Sequence, residues 1–211
     1  MKQITRKDGI SYQRKEPRDI KSIPSKEQYI QTLNKLATEG YKECYIAVRL
    51  GCEMGLPRLD IVNLEVNNIN RFHPRGLWVE VSKRVNKGTR KKPKYEMRSR
   101  EVPINQNLYA FLMAYVDPKT KYILKKKKGD VMKPYDVQYI NELYDEAKVP
   151  WSPHKARHYF RTEVKGWMRE KRTMDEELVN EYMGHATKGV PAMYGTIKWE
   201  YKIDIVDKVF A

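Results

Sequence analysis

Four short segments of this chain carry side chains suited to handling an oxyanion. In Ser152-Pro153-His154-Lys155-Ala156-Arg157-His158, His154 and Arg157 are three residues apart. On a helix that spacing puts both on one face. A guanidinium grips an oxyanion with paired N–H donors, and an imidazole beside it exchanges protons near neutral pH. Met183-Gly184-His185 follows, and Tyr194 lies nine residues beyond His185. Arg58 opens an otherwise apolar stretch just after Gly55 and Pro57. A guanidinium at a helix start is placed to meet an anion. Lys83 follows the strand-like run Leu77-Trp78-Val79-Glu80-Val81, with Lys87 as the alternative at the next turn. Each segment also has a plainer reading. The first fits a solvated basic face, His185 a helix cap and Tyr194 an amphipathic core residue. Arg58 fits half of an ion pair with Asp60 or Glu65, and Lys83 one lysine among many.

These residues need a scaffold, and the patterning describes one. Ser25 with Gln28 three residues later forms a capping-box pattern, and Tyr29, Leu33 and Leu36 continue at helical spacing to Gly40. A second helix, from about Tyr41 to Met54, is apolar on most faces and ends at Gly55. A third starts at Pro57. The pattern then becomes strand-like at 77–81 and again at Arg100-Glu101-Val102-Pro103-Ile104. Helical spacing returns around 108–115 and 137–144, and Ser152-Pro153 opens a helix to about Met168. Another helix spans about Met174 to Met183. A last amphipathic stretch carries Tyr201, Ile205, Val206 and Val209. Residues 1–24 read as a basic arm or linker, and Lys125 to Asp130 as an exposed turn. The fold class expected is mainly α with one small antiparallel β-hairpin.

The 211 residues carry a formal net charge of +15 and an isoelectric point of about 9.6. Such an excess points to a polyanion, and nucleic acid is the usual one. A membrane surface would call for a basic amphipathic helix or a lipidation signal, and a membrane span for about 18 apolar residues; neither pattern is found. The start, Met1-Lys2-Gln3-Ile4-Thr5-Arg6-Lys7, lacks the apolar run of a secretory leader, so an intracellular setting is expected. Cys44 and Cys52 fit no zinc spacing and read as buried, reduced thiols. The four histidines, His73, His154, His158 and His185, lack metal-ligand spacing. We therefore expect no metal and no cofactor. Between the strands, Arg84, Lys87, Arg90, Lys91, Lys92, Lys94, Arg98 and Arg100 crowd together, and Lys125 to Lys128 and Lys155 add to them. They suit phosphate contacts on DNA.

Taken in order, Arg58, Lys83, His154-Lys155-Ala156-Arg157, Gly184-His185 and Tyr194 resemble the signature of the tyrosine recombinase (phage integrase and Xer-type) family. The likeness covers roughly residues 25–211. It implies a catalytic domain that cuts and rejoins double-stranded DNA through a 3′-phosphotyrosine. Arg58 and Arg157 would hold the phosphate, with Tyr194 as nucleophile and His154 as base. His185 would donate a hydrogen bond to the phosphate, Lys83 would act as general acid, and His158 would support the site. It also implies four protomers on DNA, a Holliday-junction intermediate, and a tail (195–211) that docks either on its own core or on a neighbour. Family members usually carry an N-terminal core-binding domain, for which the residues before Arg58 are too few. Type IB topoisomerases share this chemistry, and a catalytically silent DNA-binding module shares the charge.

Overall fold

The computed structural model describes residues 3–5, 11–13, 23–86, 95–124, 126–128, 131–133, 137–184 and 198–210. For 3–5, 11–13, 80–86, 95–98, 126–128 and 131–133 it describes the backbone path. Among the described residues eight helices dominate: α1 (Lys26–Thr38), α2 (Lys42–Met54), α3 (Arg58–Asn63), α4 (Gln106–Tyr115), α5 (Val137–Glu146), α6 (Pro153–Glu170), α7 (Glu176–Tyr182) and α8 (Trp199–Phe210). The sheets are three antiparallel pairs: β1 (Gln3–Thr5) with β2 (Ser11–Gln13), β3 (Gly76–Asn86) with β4 (Tyr95–Pro103), and β5 (Lys126–Lys128) with β6 (Val131–Lys133).

The capping box expected at Ser25 forms. Its hydroxyl accepts from the Gln28 amide at 3.2 Å, and the Ser25 amide donates to Gln28 Oε1 at 3.0 Å. Helix α2 is buried on nearly every face and packs against α1, α5 and α6. It stops at Gly55, whose φ of 65° is left-handed. A Cβ there would lie 2.6 Å from Phe160 Cδ1, so glycine is needed for space as well as for φ. Helix α6 lies between two apolar clusters. Ala156 and Tyr159 join the larger one around α2, and Phe160, Val164 and Met168 join a smaller one with α7 and α8. The start of α6, which carries His154 and Arg157, is seated on the larger cluster through Ala156 and Tyr159. Cys44 and Cys52 are free and fully buried, as expected, and burial pushes the Cys44 thiol up to about 12.

Two segments read as irregular also carry short strands. The Lys125–Asp130 stretch contains part of a hairpin, with Lys126 paired to Lys133 and Lys128 to Val131. Gly129 and Asp130 are the two residues between those strands, a pair that favours tight hairpin connections. In the N-terminal arm Ile4 pairs with Tyr12, each a β-favouring residue between polar ones. Among the described residues no helix is long and apolar enough to cross a membrane.

One buried polar hub locks α1, α2 and α4 together. Glu53 accepts from the Tyr29 hydroxyl, from Arg49 Nε at 2.6 Å and Nη2 at 3.0 Å, and from Asn105 Nδ2 at 2.6 Å. Asn105 in turn caps α4 through the Leu108 amide. Glu53 is 3% exposed and Arg49 7%. Removing one partner of such a pair strands the other charge, which costs about 3–5 kcal/mol. Glu53→Ala is therefore expected to lower the unfolding free energy by about that much in urea titrations. Glu53→Gln, which keeps one acceptor oxygen, should lose less. A Glu53→Ala loss below about 1 kcal/mol would mean that water reaches Arg49.

Candidate active site

Pro57, Arg58 and Leu59 at the start of α3 face Pro153, His154 and Arg157 at the start of α6. Together with Val137 they line a cavity of about 380 Å³. Arg58, His154 and Arg157 thus line one cavity between two helix starts. Helix α3 has only six residues, so the anion attraction of a long helix start is not what recommends Arg58. Neither acidic partner weighed for it is engaged with it: Asp60 lies 3.3 Å from Arg100, and Glu65 3.2 Å from Lys121.

Arg157 joins two helix ends. Its guanidinium donates to the carbonyl of Gly55, which caps α2, and to that of Met183, which caps α7. Helix C-termini carry partial negative charge, so a cation between two of them is well placed. Burial, and then the charge of Arg100, pull the Arg157 guanidinium down to about 10, still charged at neutral pH.

His154 is exposed, and its Nε2 lies 3.0 Å from Nε2 of His158 one turn later. One ring donates and the other accepts, so at least one of the two must be neutral at Nε2. Burial depresses the His158 pKa below 6.5, and the charge of His154 adds to this. Replacing His154 with Ala is expected to raise the His158 titration toward 6.5, read by NMR of the ring protons. An unchanged or lower value would show that the rings do not communicate. Because folding weakens proton binding at His158, its contribution to stability is complete above pH 6.5 and declines as pH falls through that value.

A model of the phage integrase family matches residues 25–197. This chain belongs to the phage integrase family. No curated protein matches it. Solved structures of integrases and recombinases share its fold. The integrase from mycobacterium phage Brujita aligns over 94% of this chain and 60% of its own length, with a TM-score of 0.60 and 16% identity. XerA recombinase aligns over 78% of this chain and 56% of its own, with a TM-score of 0.55 and 16% identity. A lambda integrase tetramer bound to a Holliday junction aligns over 83% and 49%, with a TM-score of 0.54 and 13% identity. This chain thus spans between about half and three fifths of the length of these structures.

The remaining integrase-signature positions fall as follows. His185 and Tyr194 lie outside the described residues, as do Lys87, Arg90, Lys91, Lys92 and Lys94. Lys83 and Arg84 are on β3 itself and not beyond its end, because the strand runs five residues past Val81. The register shifts there. Val81 pairs with Arg98 and Val85 with Glu96, so Ser82, Lys83 and Arg84 oppose Met97 alone. Bulges of this kind kink a strand and re-aim its residues, often beside active sites. Lys155 is half-buried on α6 between His154 and Arg157. Among the described residues no three His, Cys, Asp or Glu side chains gather as a metal would require.

Arg100, grouped with the basic run as a phosphate contact, does not lie out in solvent. Its side chain is 9% exposed and sits against Asp60. The signal was present in the strand period. Arg100 is two residues before Val102, which is fully buried, and it pairs across the hairpin with Val79, 1% exposed.

Proposed function

We propose that this chain is the catalytic domain of a site-specific DNA recombinase. It breaks and rejoins double-stranded DNA through a covalent 3′-phosphotyrosine at Tyr194. The observation that carries this reading is the cavity shared by Arg58, His154 and Arg157 in a chain of the phage integrase family.

A phosphodiester resists attack because it is anionic and its alkoxide is a poor leaving group. Arg58 and Arg157 neutralise the non-bridging oxygens and the charge that grows on them in the transition state. The Tyr194 phenol, with a free pKa of about 10, needs a base, and His154 takes its proton. The Tyr194 oxygen bonds to phosphorus as the bond from phosphorus to O5′ breaks. Lys83 on β3 protonates the departing oxygen, and His185 donates to a phosphate oxygen. The products are a tyrosyl 3′ phosphate and a 5′ hydroxyl. The reverse attack reseals the strand with no external energy source, which fits the expectation of no cofactor. Arg84, Lys87, Arg90, Lys91, Lys92, Lys94 and Lys155 contact flanking phosphates. Exchange between two duplexes requires four copies on the DNA and passes through a Holliday junction, the assembly in which the lambda integrase relative was captured.

The test is covalent trapping. The chain is incubated with nicked suicide-substrate DNA, and a protein–DNA adduct that survives denaturation is sought by electrophoresis. An adduct is expected. Its absence on cognate DNA at saturating protein would leave a binding module in place of an enzyme. Relaxation of supercoils without strand exchange would put a type IB topoisomerase in place of a recombinase.

A further inference from the structure

Three observations converge on Arg100. Its guanidinium is buried, with Nη2 3.3 Å from Asp60 Oδ2. Yet among the described residues neither Nε nor Nη2 has a hydrogen-bond acceptor, and nor does Asp60 Oδ2 a donor. The pair attracts across 3.3 Å with poor hydrogen-bond geometry, unlike Arg49 and Glu53, where two well-formed hydrogen bonds form. The guanidinium also packs against Gly184, whose φ is 62°. A Cβ at residue 184 would meet Nη1 at 2.6 Å, Cζ at 2.9 Å and Nε at 3.1 Å. Arg157 holds the carbonyl of the preceding residue, Met183. Two guanidiniums therefore meet at one turn, the turn that leads into His185.

The charges do not cancel. Arg100 and Arg157 contribute two positive charges, and Asp60 one negative. Burial raises the Asp60 carboxyl and lowers the Arg100 guanidinium, while their mutual attraction opposes both shifts. Buried donors without acceptors, carrying a residual positive charge, are costly unless an anion completes them. The anion of matching charge is a phosphodiester.

We propose that Arg100 is a third phosphate-holding guanidinium of this site, kept in place by Asp60 until a non-bridging oxygen takes up its free N–H donors. This rests on the phosphoryl-transfer reading above and adds to it a residue from β4, outside the signature positions. Arg58 reaches the phosphate from α3, Arg157 from α6 and Arg100 from the sheet.

The experiment compares adduct formation on two nicked duplexes, one normal and one with a methylphosphonate at the scissile position. The methylphosphonate has lost the charged oxygen that an arginine would neutralise. Arg100→Gln is expected to slow adduct formation about 10²–10³-fold on phosphate, and by less than about 10-fold on methylphosphonate. Arg100→Lys should recover part of the loss. Because Arg100→Gln leaves Asp60 alone in the interior, the paired variant Asp60→Asn with Arg100→Gln is measured too. It removes both buried charges and is expected to fold and to show the same substrate-dependent deficit. An equal deficit on both substrates, or full activity in the paired variant, would reduce Arg100 to a structural partner of Asp60 and overturn the proposal. If the unaltered chain forms no adduct at all, the phosphoryl-transfer reading fails first, and inorganic phosphate then tests the anion site alone. Phosphate should raise the Tm of the unaltered chain more than that of the paired variant, which keeps Arg58 and Arg157, and equal shifts would overturn the proposal.

Discussion

A Tyr194→Phe chain is expected to bind the nicked duplex as the unaltered chain does and to leave no adduct, a drop of about 10⁴-fold or more. Phenylalanine keeps the ring and removes the one oxygen that can bond to phosphorus. The chain has 15 tyrosines, so the result turns on whether another can stand in. Tyr144, Tyr159 and Tyr182 are 3%, 1% and 1% exposed, and burial raises all three phenols. A buried phenol that resists ionisation cannot reach a DNA phosphate. Tyr201, 41% exposed on α8, is the fair comparison, and Tyr201→Phe is expected to keep the adduct. An adduct that survives in Tyr194→Phe and disappears in Tyr201→Phe would move the nucleophile by seven residues and break the spacing on which the assignment rests.

Arg157→Ala is expected to slow adduct formation about 10³-fold, because a donor aimed at developing charge is lost from a secluded site. It also unties the ends of α2 and α7, since Gly55 and Met183 both lose their donor. Charge-assisted hydrogen bonds of this kind contribute about 1.5–3 kcal/mol, and loss of repulsion with Arg100 offsets part of it. Activity must therefore be compared well below the variant's Tm. Arg157→Lys separates the two roles. A single ammonium cannot span two carbonyls and hold a phosphate as a planar fork does. It is expected to keep the charge and most of the stability while remaining at least about 10²-fold slow. A fully active Arg157→Lys chain would remove Arg157 from the clamp.

The helices were legible because their ends are written in local chemistry. Ser25 and Gln28 mark one start, and Gly40, Gly55 and Gly184 mark stops that left-handed φ angles bear out. The hairpin was legible in kind but not in length, since β3 continues through Lys83 and Arg84, where charge masks the strand pattern. The burial of Arg100 was hidden for a related reason. In a run of lysines and arginines, composition suggests solvent, and only pairing with Val79 tells which arginine turns inward. Of the Glu53 hub only the Arg49–Glu53 pair, four residues apart on one helix, was legible. Tyr29 and Asn105 come from other helices or their caps, and no spacing rule links them to it. The meeting of Arg58 with His154 and Arg157 depends on helix packing, which the linear order of motifs only hints at.

Helix α8 is firmly moored. Ile205 and Val206 are fully buried, Phe210 stacks on Phe160, Asp207 binds Arg75 at 2.6 Å, and Trp199 Nε1 donates to the Pro74 carbonyl at 3.0 Å. Tyr194 lies four residues before Lys198, where the description resumes. At no more than about 3.6 Å per residue, whatever path the chain takes, the Tyr194 Cα stays within roughly 14 Å of that of Lys198. The residue proposed as nucleophile is thus tied by a four-residue tether to a helix that packs on the core. On that proposal, the docking of α8 and the supply of the attacking group are one event, not two.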